Sequence, residues 1–277
     1  MDIKPLLRQF NLRPKKSLGQ NFLVDEHALS SIVRAAEITP ADVVLEIGPG
    51  LGSLTQQLAD AARHVIAVEI DRALIPPLRS VLSARSNVSI VEGDILKLNP
   101  TPLLSNYLTI ALPDYKVVAN IPYYITSAII RHLLEADVKP RSIVLTIQQE
   151  VAQRIIAQPD DMNLLAVSVQ FYGVPRIVQR IPASAFYPAP DVDSAVVRID
   201  LADRPRVAVK DVDTFFKVAK AGFGQKRKQL HNSLSAGLPL KHEQIMQALS
   251  GVGIDPKRRA ETLTLEEWGR LSDQLIS

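Results

Sequence analysis

From residue 43 to residue 148 the chain alternates between two hydrophobic patterns. Short continuous apolar runs occur at VVLEIG (43–48), HVIAVEI (64–70), VSIVEGD (88–94), YKVVANI (115–121) and RSIVLTIQ (141–148). Between them, SLTQQLADAA (53–62), residues 72–85 and SAIIRHLLEA (127–136) place apolar residues three and four apart, and a further helix is expected from about Glu150 to Ala157. Continuous short runs are strands buried on both faces, and the wider spacing is helical. Their alternation predicts βαβ units and a largely parallel, doubly covered sheet.

After residue 148 the pattern changes. LAVSVQFYG (165–173) and SAVVRIDL (194–201) read as two strands added antiparallel at a sheet edge. Beyond about residue 205 only helical patterns follow: DVDTFFKVAKAGF (211–223), KRKQLHNSLSAGL (226–238), KHEQIMQALSGVG (241–253) and LTLEEWGRLSDQLI (263–276). Thr264 and Glu267 have the spacing of a capping box at the last of these. The expected organisation is an α/β domain over residues 1–204 and a small all-helical domain over residues 205–277, divided near ADRPRVAVK (202–210).

Composition narrows the function classes. Cysteine is absent, which excludes disulfides, a thiolate nucleophile and cysteine zinc sites. The five histidines are scattered without ligand spacing, so no metal is expected. No apolar run reaches membrane-spanning length, and the first residues lack a signal-peptide core. The expectation is a cytoplasmic protein with no membrane partner, and no coiled coil or sticky edge demands more than a monomer. Residues 1–199 carry 19 basic and 19 acidic side chains, and residues 200–277 carry 13 and 10, so the net +3 falls on the helical part. Arg13, Lys15 and Lys16 form a separate basic arm.

Candidate chemistry gathers at strand ends. EIGPGLGSL (46–54) puts Gly48, Gly50 and Gly52 between the first strand and the first helix, where glycine lets a ligand approach the backbone. The spacing G-x-G-x-G, with Ser53 at the dinucleotide pattern's third position, departs from a nicotinamide loop. A tight strand-to-helix turn is the alternative reading of the loop. Glu69 ends the second strand, 21 residues after Gly48, where a carboxylate can take two ribose hydroxyls. Asp94 ends the third; it can accept an adenine amino group or cap a turn. Together the three look like a site for S-adenosylmethionine, which becomes S-adenosylhomocysteine on losing its methyl.

The fourth strand ends in VVANIPYYITSA (117–128). Pro122 removes a donor and keeps Ile121 out of the helical region, leaving the carbonyls around Asn120 and Ile121 free to face the crevice. An exocyclic amine on an aromatic base is a poor nucleophile, because its lone pair is delocalised into the ring. Two acceptors on its two hydrogens turn that lone pair toward an electrophile, and Tyr123 can stack on the base. The work is positioning and electrostatics.

E-x-G-x-G-x-G, Glu69, Asp94 and N-I-P-Y resemble the amino-methyltransferases. KKSLGQNFL (15–23), FYPAPDVDSAVV (186–197), FGQKRKQLHNSL (223–234) and RRAETLTLEEW (258–268) narrow the resemblance to the ribosomal RNA adenine dimethyltransferases, nearest their small-subunit branch. It spans about Leu18 to the C-terminus. The resemblance implies a Rossmann-like seven-stranded sheet with one antiparallel strand, a catalytic S-adenosylmethionine-binding domain and a helical RNA-binding domain. It implies dimethylation of two adjacent adenosines near the 3′ end of small-subunit (16S) ribosomal RNA, in an immature small subunit. Asn21, Leu23, Gly48, Gly50, Glu69, Asp94 and Asn120 would border the donor. Asn120, Ile121 and Pro122 would form the transfer site, and Tyr123 and Phe186 would sandwich the adenine.

Two positions depart from the family pattern: Ile121 stands where leucine is usual, and Asn163-Leu164 where Tyr-Gly is expected. Lys226, Arg227 and Lys228 open an expected helix and are candidates, with the basic arm, for RNA phosphates; a solvated helix face is the alternative. Rival readings are a large-subunit ribosomal RNA methyltransferase of the macrolide-resistance type, a non-catalytic assembly factor, and a nicotinamide oxidoreductase.

Overall fold

The computed structural model describes residues 3–107 and 115–275. Ile276, expected as a helical residue, lies outside them. The strands are β1 (Phe22–Leu23), β2 (Val43–Ile47), β3 (His64–Glu69), β4 (Val88–Glu92), β5 (Tyr115–Asn120), β6 (Ser142–Gln148), β7 (Gly173–Ile181), β8 (Phe186–Tyr187) and β9 (Ser194–Leu201). Seven of them form one sheet in the order β4-β3-β2-β5-β6-β9-β7. The β2–β3, β3–β4, β2–β5 and β5–β6 pairs are parallel, and β6–β9 is antiparallel. The five runs read as buried strands are all strands, and every residue of β2 is buried. β1 and β8 pair separately as a short antiparallel ribbon.

The chain divides into two compact units, residues 1–152 with 175–201, and residues 153–174 with 202–277. In the first unit the strand order reverses beside β2: β3 and β4 lie on one side and β5 on the other. Open α/β sheets bind ligands outside the carboxyl ends of the strands at such a point. Register makes this concrete. Ile47 is level with Val68 of β3 and Ala119 of β5, so the next residues, Gly48, Glu69 and Asn120, stand side by side at one edge. Helices Ile3–Gln9, Glu26–Ala36 and Pro100–Tyr107 add to those the pattern predicts. Asp25 caps the second of them, its carboxylate accepting from the Ala28 amide at 2.7 Å.

The second unit is helical. The run expected as a strand over 165–173 is instead the helix Leu164–Tyr172. Asn163, at the departure from the family pattern, caps it: Oδ1 accepts from Ala166 N at 3.0 Å, and Nδ2 donates to Arg154 O at 2.8 Å. The helix is apolar nearly all round because it is buried in its own unit, where Phe171 stacks on Phe215 at 4.4 Å. Residues 153–174 thus belong with the helices that follow residue 201. The edge strand is β7, whose Pro175 is tolerated where no ladder bond is required.

Helix Val212–Phe223 crosses its neighbours closely. A Cβ at Gly222 would lie 2.4 Å from Trp268 Cη2, and one at Gly237 would lie 2.7 Å from Ala221 Cβ. The capping box forms as expected: Thr264 N donates to Glu267 Oε2 at 2.8 Å and Glu267 N to Thr264 Oγ1 at 3.1 Å. Arg258 also clasps Glu267 through Nη1 and Nη2, at 2.5 and 3.0 Å, which commits that guanidinium to the fold.

A candidate nucleoside and amine site at the sheet edge

The first unit opens a cavity at the carboxyl ends of β2, β3 and β5. Gly48, Gly50, Glu69, Asp94, Asn120, Ile121, Pro122 and Tyr123 all line it, with Asn21 and Leu23 from the arm that leads into β1. Gly48 holds φ +70°, and the Asn120 carbonyl, at 3.8 Å, is the one heavy atom near where its Cβ would stand among the described residues. The loop is therefore a positive-φ turn that leaves room beside the backbone at Gly48, whereas Phe22 and Leu78 fill the space beside Gly50 and Gly52.

Glu69 is 4% exposed. Its Oε2 accepts from Gly50 N at 3.0 Å and its Oε1 from Asp71 N at 2.8 Å. Burial raises its pKa, against the pull of these two N–H groups. Each oxygen has further lone pairs, enough for a pair of ribose hydroxyls. Asp94 does cap its turn, with Oδ1 accepting from Leu96 N at 3.1 Å. It also lines the cavity, and Lys97 Nζ stands 3.9 Å from Oδ2.

Glu46, which opens the glycine motif, also lines the wall and is 1% exposed, with Oε2 lacking a partner among the described residues. Burial pushes its carboxyl up to about 8, and the nearby Glu69 charge adds to the rise. A cation such as a donor's ammonium beside the unused oxygen would offset the burial and return the group to a carboxylate. Its place in the sequence, one residue before a strand ends at glycine, is the signal by which it could have been singled out.

At the end of β5, Asn120 Nδ2 donates to the Asn21 carbonyl at 3.2 Å. This leaves Oδ1 as the free end of the amide. Ile121 is buried, and Pro122 stands at φ −57°, ψ 135°. Tyr123 is half-buried, and its hydroxyl is held by Ser194 Oγ at 2.7 Å, which fixes the ring. The cavity can thus hold a nucleoside by its sugar and base, and can present an amide oxygen and a ring to an aromatic amine.

Two of the expected site residues stand apart from the cavity lining. Phe186 is 4% exposed and lies outside the cavity lining, within the apolar cluster of Leu23 and Leu29. Its pairing with Leu23 in the β1–β8 ribbon turns it inward, while the next residue, Tyr187, faces out. The ring thus packs behind the Leu23 wall. Lys15 is exposed, but its Nζ is paired with Asp71 Oδ1 at 2.7 Å. Arg13 and Lys16 remain exposed on the arm.

In the second unit, Lys226, Arg227 and Lys228 do not open a helix. The helix starts at Leu230, and the three cations occupy the preceding turn. Cations inside a first turn would oppose the helix dipole. Leu230 N donates to the Arg258 carbonyl at 2.7 Å and His231 N to the Pro256 carbonyl at 3.4 Å, which draws exposed Lys257 and Arg259 alongside. Among the described residues, no group of three or more His, Asp or Glu side chains gathers as a metal site, and no helix is long and apolar enough to cross a membrane.

Comparison with known proteins assigns the chain. Residues 11–277 match the family described as ribosomal RNA adenine dimethylase. A ribosomal RNA small subunit methyltransferase A from Moorella thermoacetica is 48% identical, covering 98% of this chain and 95% of that protein. One from Dehalococcoides mccartyi strain CBDB1 is 46% identical over 97% and 90%. Among solved structures, a dimethyladenosine transferase from Plasmodium falciparum superposes with a TM-score of 0.74 at 25% identity, covering 90% of this chain and 95% of that one. The 23S rRNA methyltransferase ErmE gives 0.72 at 29%, covering 93% and 100%. With a family match over residues 11–277, and with its motif residues gathered around one cavity at the switch point of its sheet, the chain belongs to the ribosomal RNA adenine dimethylase family.

Proposed function

We propose that the protein moves methyl groups from S-adenosylmethionine to the N6 amino groups of two adjacent adenosines near the 3′ end of small-subunit ribosomal RNA. Each becomes dimethyladenosine during maturation of the small subunit, and S-adenosylhomocysteine is released. The observation that carries the reading is the oriented amide of Asn120 at the edge it shares with Gly48 and Glu69.

The donor supplies a methyl on a positively charged sulfur. The protein's own part is positioning. Glu69 takes the ribose hydroxyls, Asp94 the adenine edge and Glu46 the ammonium, while the Gly48–Gly50 turn lets the donor lie against the backbone. The target base leaves its stack and is repaid by the ring of Tyr123. Asn120 Oδ1 and the Ile121 carbonyl accept the amino hydrogens, so the nitrogen becomes pyramidal and its lone pair is drawn out of conjugation with the ring; the N–C bond would form as the C–S bond breaks, and the methylated nitrogen then loses a proton to solvent. No base of shifted pKa is required before attack.

Small-subunit RNA is favoured over large-subunit RNA because the curated relatives at 46–48% identity are small-subunit enzymes, whereas the 23S enzyme stands at 29%. Arg13, Lys16 and the turn Lys226–Lys228 are the proposed phosphate contacts. The reading places the enzyme in the cytoplasm, acting as a monomer on one subunit.

Asn120→Ala tests the assignment. It is expected to lower turnover by about 10²-fold or more, the scale for removing one preorganised transition-state contact. Binding to small-subunit particles should be unchanged. Methylation at the wild-type rate would remove Asn120 from the chemistry.

A further inference from the structure

The Lys15–Leu23 arm is tied down at one point more firmly than a surface loop requires. Asp71, 5% exposed, lies two residues beyond Glu69. Its Oδ1 accepts from Lys15 Nζ at 2.7 Å and from Ala73 N at 3.1 Å, and its Oδ2 accepts from Gln20 Nε2 at 2.7 Å. The other end of the Gln20 amide accepts from Lys15 N at 2.8 Å, which closes the arm into a turn. Within that turn Gly19 holds φ +59°, and a Cβ there would stand 3.1 Å from Pro122 Cβ and 3.2 Å from Tyr124 Cε1. Residues 18–23 of the arm form one wall of the cavity, and Phe22 packs so closely on Gly50 that a Cβ there would meet its ring at 3.0 Å. Next in the chain, the Asn21 carbonyl accepts from Asn120 Nδ2 at 3.2 Å.

A continuous path therefore runs from the donor end of the site to the acceptor end. Asp71 N holds Glu69 Oε1, the Asp71 carboxylate holds Lys15 and Gln20, and Asn21 holds the amide of Asn120. We propose that Asp71 is a positioning residue that latches the arm across the donor cavity and, through Asn21, keeps Asn120 Oδ1 turned toward the acceptor amine. This rests on the function proposed above. Neither Asp71 nor Lys15 touches the reacting atoms. Lys15, also a candidate phosphate contact, is part of the latch.

The test uses the full-length protein with Asp71→Ala and, as a milder route, Gln20→Ala, which leaves the Lys15–Asp71 pair in place. Three readouts separate the latch from a general loss of structure. Trypsin with mass spectrometry on the donor-free protein should show cleavage after Lys15 or Lys16 accelerated several-fold in Asp71→Ala, with other sites unchanged. Direct binding should show weaker donor affinity in both variants. At saturating donor and small-subunit particles, kcat should fall about 10-fold with Asp71→Ala, and this loss should largely vanish in an Asn120→Ala background, since both substitutions act through the same amide. Unchanged cleavage with full kcat would overturn the latch, as would a kcat loss that adds undiminished to that of Asn120→Ala. If Asp71→Ala fails to fold, Gln20→Ala decides on the same three readouts. If the wild-type protein transfers no methyl, the proposed function fails; if it transfers methyl and the variants behave as wild type, only the latch fails.

Discussion

The Nδ2 end of Asn120 is spent on the Asn21 carbonyl, and the residue lines the cavity. The side chain is thus an oriented acceptor before any base arrives, which is where preorganisation saves reorganisation during transfer. Glu46 shows the cost of building such a site from buried groups. Its unfolded carboxyl titrates near 4.5 and its folded one at about 8. A raised carboxyl pKa contributes stability that is fully present below the unfolded value and lost as pH rises through the folded one. The donor-free protein should therefore lose stability between pH 5 and pH 8, at up to about 1.4 kcal/mol per pH unit from this group. Glu46→Gln should flatten that slope in denaturant melts at pH 5 and pH 9. An unchanged slope would mean that Glu46 is ionised in the fold.

Among the elements, the helix Val212–Phe223 depends on two small residues. The Gly222 position faces the Trp268 ring and Ala221 faces Gly237, so the helices meet almost backbone to backbone. Gly222→Ala should overpack this contact and destabilise the second unit by about 1–3 kcal/mol, despite the better helix propensity of alanine. A thermal melt with equal or higher Tm would contradict this packing. The same elements show what can be read from sequence. Four of the five parallel-type strands were legible because burial on both faces writes a continuous apolar run, while the edge strand β4 is only half-buried, and the ends of three of them, Gly48, Glu69 and Asn120, sit at one edge as their position implied. LLAVSVQFY was not legible, because a helix buried nearly all round loses its 3.6 periodicity and its valines favour a strand; the surviving signal was the cap Asn163. Phe186 was placed in the site from its motif alone, and only the β1–β8 register shows its ring turned inward. The hold of Asp71 on Lys15 spans 56 residues and leaves no local pattern.

For the molecule as a whole, charge and chemistry are divided between the units. The nucleoside cavity lies in the first, and the net positive charge falls on residues 200–277, with Lys226–Lys228 beside Lys257 and Arg259 in the second. Reversing the charge at Lys226, Arg227 and Lys228 should weaken binding to small-subunit particles and flatten its dependence on salt, because fewer counterions are released. Donor affinity should be unaffected. Equal salt slopes for wild type and variant would leave these cations a solvated turn. The central claim, that this chain methylates adenosine amines of small-subunit RNA, is tested most directly with purified protein and methyl-labelled S-adenosylmethionine. The protein is incubated separately with unmodified small and large subunits, and the RNA is then digested to nucleosides. The account predicts labelled dimethyladenosine from the 3′-terminal region of the small-subunit RNA and none from the large. Label confined to the large subunit, or no transfer by a folded protein that binds the donor, would contradict it.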